Sequence, residues 1–117
     1  NSGFKLNKEE DDIESHEITK LNAVKENDSN ILYRLAETIK KRKIEMPSGS
    51  YTTHLFEKGL DKIKKKVGEE AIELILAESK EDVVYESADL IYHLIVMLEE
   101  MGIECHDLMV ELERRDS

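Results

Sequence analysis

Residues 65–98, KKVGEEAIELILAESKEDVVYESADLIYHLIVML, constrain the fold of this chain more than any other stretch. Apolar residues recur there every three or four positions, the period of a helix, on both sides of a short polar break near Ser79 and Lys80. A tight turn at the break makes the two helices antiparallel neighbours. Yet Glu69, Glu70, Glu73, Glu86 and Asp89 stand among the Ile, Leu and Val side chains. A carboxylate removed from water must be paired, protonated or bound to a metal, because leaving it uncompensated costs several kcal/mol.

The spacing says what could compensate them. Glu70 and Glu73 are three apart, so they neighbour one another on one helix face. Glu86 and Asp89 repeat that spacing on the next helix. Each pair lies two turns from the connection, so both sit at similar depth and can face each other. Four converging carboxylates suit Mg²⁺, with Mn²⁺ as a substitute: hard cations that take oxygen ligands and keep waters for a substrate. The competing explanation is that the acids form solvated faces. For Glu69 that explanation is as good as a site role; for the four matched acids the apolar surroundings argue against it. Neutralisation by Lys64, Lys65 and Lys66 is a further alternative, but two acids at i, i+3 with no interleaved base are poorly served by it.

His93 follows Asp89 by four residues, and the preceding helix has no histidine. The Glu-x-x-His pairs of di-iron bundles are therefore missing, and a supporting hydrogen-bonding role is expected for His93 rather than ligation. His16, His54 and His106 lie outside the constellation, and Cys105 has no CxxC partner, so zinc is not expected.

Composition fits a helical chain. Of 117 residues 38% are charged and 5% aromatic, with one proline and five glycines, against a β sandwich or barrel. The single cysteine allows no internal disulfide and suits a reducing, cytoplasmic setting. No apolar run is long enough for a bilayer, so no membrane role is expected. The formal net charge is −10; residues 1–28 contribute −4 and the remainder −6, so both parts repel polyanions and nucleic acid is not an expected partner. A small phosphorylated ligand remains compatible if a divalent cation reverses the local field.

Residues 1–28 show no sustained period and an acidic run at Glu9, Glu10, Asp11 and Asp12, which reads as a poorly ordered tail or linker. The folded domain is expected at 29–117. Ser29 is a plausible cap for a helix carrying Ile31, Leu32, Leu35 and Ile39, which Pro47 stops. MPSGS reads as a loop and YTTHLFEK as a short helix ending at Gly59. The next helix, about 60–78, has Leu60, Ile63, Val67, Ala71 and Leu74 as its core stripe. The following one is apolar nearly all round and stops at Gly102; its polar stripe is Asp82, Glu86, Asp89 and His93. A last helix, about 106–115, offers Leu108 and Leu112 to the core. The expected fold is all-α, an antiparallel bundle of four to five helices.

LAETIKKRK, SYTTHLFEKG, KKVGEEAIE and ESADLIYHLIVML stand in the order used by the phosphoribosyl-ATP pyrophosphohydrolases of histidine biosynthesis, and the chain resembles that family over residues 31–115. The acid pairs alone mark the wider MazG-like group of all-α nucleoside triphosphate pyrophosphatases; KVGEEA with ADLIYHL is specific to the histidine branch. The resemblance implies a MazG-like homodimeric bundle that hydrolyses phosphoribosyl-ATP to phosphoribosyl-AMP and pyrophosphate with Mg²⁺. It assigns Glu70, Glu73, Glu86 and Asp89 as metal ligands and gives Glu70 a catalytic role, with Glu69 a weaker catalytic candidate, either for a second metal or for orienting the water. Lys62, Lys65, Lys66 and Arg42 are candidates for the substrate phosphates, although solubility explains each of them equally well. Family members often occur fused behind a phosphoribosyl-AMP cyclohydrolase, for which residues 1–28 would serve as the linker. Two other readings compete: a house-cleaning pyrophosphatase acting on free nucleoside triphosphates, and a non-catalytic helical dimerisation module.

Overall fold

The computed structural model describes residues 31–116, and they form five α-helices with no strand among the described residues. These are α1 (Ile31–Glu45), α2 (Tyr51–Lys58), α3 (Leu60–Leu76), α4 (Lys80–Glu100) and α5 (Cys105–Arg115). The all-α expectation is met. The proposed tail at 1–28 and the Ser29 cap lie outside the described residues.

Local chemistry explains the boundaries. Ser50 caps α2, its hydroxyl accepting from the Thr53 N–H at 3.3 Å. Gly59 ends α2 and starts α3 with φ 92°, a backbone conformation that L side chains rarely adopt. α3 stops at Leu76, two residues earlier than its pattern suggests. Ala77 and Ser79 take extended backbone conformations, and Ser79 caps α4 by accepting from the Asp82 N–H at 3.1 Å. α4 closes on Gly102: the Ile103 N–H bonds the Leu98 carbonyl at 2.8 Å and the Gly102 N–H that of Glu99 at 3.0 Å, which is a Schellman ending. α5 opens one residue early because Glu104 and Asp107 form a reciprocal capping box.

The three-residue link folds α3 and α4 into an antiparallel hairpin, and α1, α2 and α5 pack around α4. The core is Ile39 of α1, Leu55 and Phe56 of α2, Ile63 of α3, and Tyr92, Ile95 and Val96 of α4. Thr52 joins it by a hydrogen bond between its hydroxyl and that of Tyr92. One part of the sequence reading is corrected here. Leu112 is 52% exposed, because α5 covers the bundle only along its Cys105 side. The apolar character of α4 extends to its surface, as Val83 and Val84 are exposed at its first turns.

Candidate active site

Helical periodicity carries the acids into the core. Glu70 lies two turns after Ile63 on the same α3 stripe, and both are fully buried at 0% exposure. On α4 the polar stripe runs inward from the surface. Asp82 is exposed, Glu86 half-buried, and Asp89 and His93 fully buried. Glu73 is half-buried on α3.

Oxygens of Glu70, Glu73 and Glu86 lie within 4.8 Å of one another. Potential ligand atoms of Glu70, Asp89 and His93 meet the same limit. The four acids therefore form two adjoining groups that share Glu70. Lys66 reaches Glu70, with Nζ 3.2 Å from Oε2, one turn back along the helix. Glu70 Oε1 is buried without a hydrogen-bond partner. A fully buried carboxylate with an unpartnered oxygen, grouped with three further carboxylates, fits a divalent hard cation. Glu69 stands apart: it is exposed, belongs to neither group, and lies 3.8 Å from Lys66.

His93 is held at both ring nitrogens. Nδ1 is 2.7 Å from the Asp89 carbonyl oxygen, and Nε2 is 2.9 Å from the Tyr51 hydroxyl. Burial pushes the His93 pKa below its ordinary value, favouring the neutral ring. A carbonyl can only accept, so Nδ1 carries the hydrogen and Nε2 accepts from the Tyr51 O–H. Burial raises the pKa of Tyr51, with nearby Tyr92, Asp89 and Glu70 adding to it, so the hydroxyl keeps its proton.

Next to the acids lies a cleft of about 310 Å³, lined by Tyr51, His54, Leu55, Lys58, Lys62, Lys65, Lys66 and Glu69. Lys66 borders both cleft and acids, so a basic, open region adjoins a buried acidic one. Of the four bases singled out in the sequence, Lys62, Lys65 and Lys66 line this cleft. Arg42 does not; its Nη1 lies 3.4 Å from the Ser50 hydroxyl oxygen, at the start of α2. Sequence reasoning missed Tyr51, His54 and Lys58. Lys58 precedes Lys62 by four residues and Lys65 by seven, a helical spacing that the break at Gly59 conceals.

A family model described as Phosphoribosyl-ATP pyrophosphohydrolase matches residues 32–116. Among curated relatives, a phosphoribosyl-ATP pyrophosphatase of Listeria welshimeri is 52% identical over 88 residues, covering 74% of this chain and 85% of that protein. The histidine biosynthesis bifunctional protein HisIE of Caldanaerobacter subterraneus subsp. tengcongensis is 58% identical over 88 residues, 73% of this chain and 43% of that protein. Its counterpart in Pyrococcus furiosus is 51% identical over 86 residues, 74% of this chain and 41% of that protein. The chain thus spans less than half the length of these bifunctional relatives. With both acid pairs and the lysine cleft inside the matched region, the chain belongs to the phosphoribosyl-ATP pyrophosphohydrolase family.

Proposed function

We propose that this chain hydrolyses phosphoribosyl-ATP to phosphoribosyl-AMP and pyrophosphate in a Mg²⁺-dependent reaction of histidine biosynthesis. The observation that carries the proposal is the adjacency of the buried acid groups and the lysine cleft across Lys66. Glu70, Glu73, Glu86 and Asp89 would hold magnesium, with Mn²⁺ as a substitute. When bound, the ion supplies shielding of phosphate charge and polarisation of the anhydride. Lys62, Lys65 and Lys66 bind and orient phosphate oxygens from the cleft side, which places the polyphosphate across the boundary between the two regions. Glu69, at the rim of the cleft, would orient the water or help hold a second metal, while Glu70 lies deeper among the acids. His93 serves as a support for Asp89 rather than as a ligand, since both its nitrogens are engaged.

The dimerisation-module reading expects exposed acids, and the complete burial of Glu70 and Asp89 counts against it. A homodimer nonetheless belongs to the proposal. Ile72, Ile75, Leu76 and Val84 are 58%, 77%, 71% and 69% exposed at the hairpin end of α3 and α4, an apolar surface that a second copy would cover. A cyclohydrolase partner, fused or associated, is supported by the bifunctional relatives, each more than twice as long as the matched segment. A cytoplasmic location accords with a biosynthetic enzyme; no described helix is long and apolar enough to cross a membrane.

Turnover of phosphoribosyl-ATP against a panel of free nucleoside triphosphates tests the proposal. Preference for phosphoribosyl-ATP is expected. Preference for free triphosphates would make the chain a house-cleaning pyrophosphatase, and no turnover of either would leave the non-catalytic reading.

A further inference from the structure

Tyr51 belongs to both halves of the site. The residue lines the lysine cleft, and its hydroxyl lies 2.9 Å from His93 Nε2 on the acid side. From there the contacts continue inward, with His93 Nδ1 2.7 Å from the Asp89 carbonyl oxygen and 3.5 Å from Asp89 Oδ1. The second distance is too long for a good hydrogen bond, yet it keeps the N–H edge of the ring beside the carboxylate. The imidazole has little freedom to turn. Tyr51 meets it edge-on at 5.7 Å and 80°, and Tyr92 does so at 5.0 Å and 88°. Binding a cation through Nε2 would cost the Tyr51 hydrogen bond, and through Nδ1 the Asp89 bond, so the arrangement suits a prop rather than a ligand.

We propose that Tyr51 is a positioning residue: its hydroxyl fixes the His93 ring, and the ring fixes Asp89 in the acid cage. A group entering the lysine cleft therefore lies against the same residue that sets the geometry of a metal-holding acid. The inference rests on the metal-dependent reading above and adds to it a residue of α2, a helix that contributes none of the acids.

Tyr51→Phe keeps the ring, its packing and the cleft wall, and removes one hydroxyl. Loss of a hydrogen-bonding partner behind a metal ligand typically costs about 10–100-fold in metal affinity or activity. Magnesium affinity is measured by calorimetry on the full chain for wild type, Tyr51→Phe, His93→Gln and the double variant. Steady-state kinetics with phosphoribosyl-ATP and nitrogen-15 spectra of the histidine rings of the metal-free protein accompany it. The wild-type spectrum should show His93 as the Nδ1–H tautomer, and Tyr51→Phe should shift its Nε2 resonance. Magnesium Kd should rise about tenfold or more and kcat should fall, with KM for phosphoribosyl-ATP changing little. The double variant should be no worse than the worse single one, because both act along one path. A residue that only lines the cleft would raise KM and leave magnesium Kd unchanged. Tyr51→Phe with wild-type magnesium affinity and kcat overturns the inference alone, even if His93→Gln fails to fold. Wild-type protein that binds no magnesium overturns the metal reading, and the inference with it.

Discussion

Replacing Glu70 by Gln should have opposite effects on the metal-free and the magnesium-bound protein. Glu73, Glu86 and Asp89 each bring an oxygen within 4.8 Å of a Glu70 oxygen, and Lys66 lies 3.2 Å away. At an effective dielectric of about 20, like charges 4.8 Å apart cost about 3.5 kcal/mol, and an opposite pair at 3.2 Å gains about 5 kcal/mol. Three repulsions exceed one attraction. Solvent reaches Glu73 and Glu86, which discounts the difference, so the metal-free variant should be more stable than wild type by about 1–3 kcal/mol. Magnesium at a hundredfold excess over Kd should stabilise wild type by about 2.7 kcal/mol. If losing the shared ligand raises Kd about a hundredfold, the same magnesium gives the variant RT ln 2, about 0.4 kcal/mol. Thermal melts of both proteins with and without magnesium read these changes, each kcal/mol moving Tm by roughly 4–8 °C in a domain of this size. Equal magnesium shifts in the two proteins would refute the reasoning.

The remaining predictions concern the cleft, the exposed apolar end and His93. Lys62→Ala and Lys65→Ala should each raise KM for phosphoribosyl-ATP by up to about fivefold, the size of an exposed ion pair, with little change in kcat; unchanged KM in the double variant would remove them from the substrate site. Ile75→Asp should move the protein toward monomer in sedimentation without loss of helical circular dichroism, and a persistent dimer would put the interface elsewhere. Burial holds the His93 pKa below its ordinary value, so as pH falls through about 6.5 the unfolded chain takes up a proton there that the folded chain resists. Stability should therefore fall with pH in that window, and His93→Gln should flatten the slope in metal-free melts; identical slopes would show that His93 contributes nothing to it.

Most of the fold is legible in the sequence because each helix carries its own period and stop. Gly59 and Gly102 stand at positive φ, Ser79 caps α4 through its side chain, and Pro47 follows the end of α1. The depth of Glu70 and Asp89 is legible for the same reason: each shares a stripe with core residues, Ile63 on α3 and Val96 on α4. Adjacent acids are harder to separate. Glu69 is one residue from Glu70 but about 100° round the helix, which takes it from the core to the rim of the cleft. The cleft itself is hidden because it forms only when α2 folds back on α3 at Gly59, bringing Tyr51, His54 and Lys58 beside lysines of another helix. Leu112 fails for a related reason. An amphipathic stripe shows which side of a helix is apolar, not whether another helix reaches far enough to cover it.

The most direct test of the central claim is phosphorus-31 NMR of phosphoribosyl-ATP turned over by the full chain during a magnesium titration. Pyrophosphate and phosphoribosyl-AMP should appear in equal amounts, at a rate that rises with magnesium and is abolished by chelation. Release of orthophosphate as the first product, or a rate indifferent to magnesium, would contradict the account.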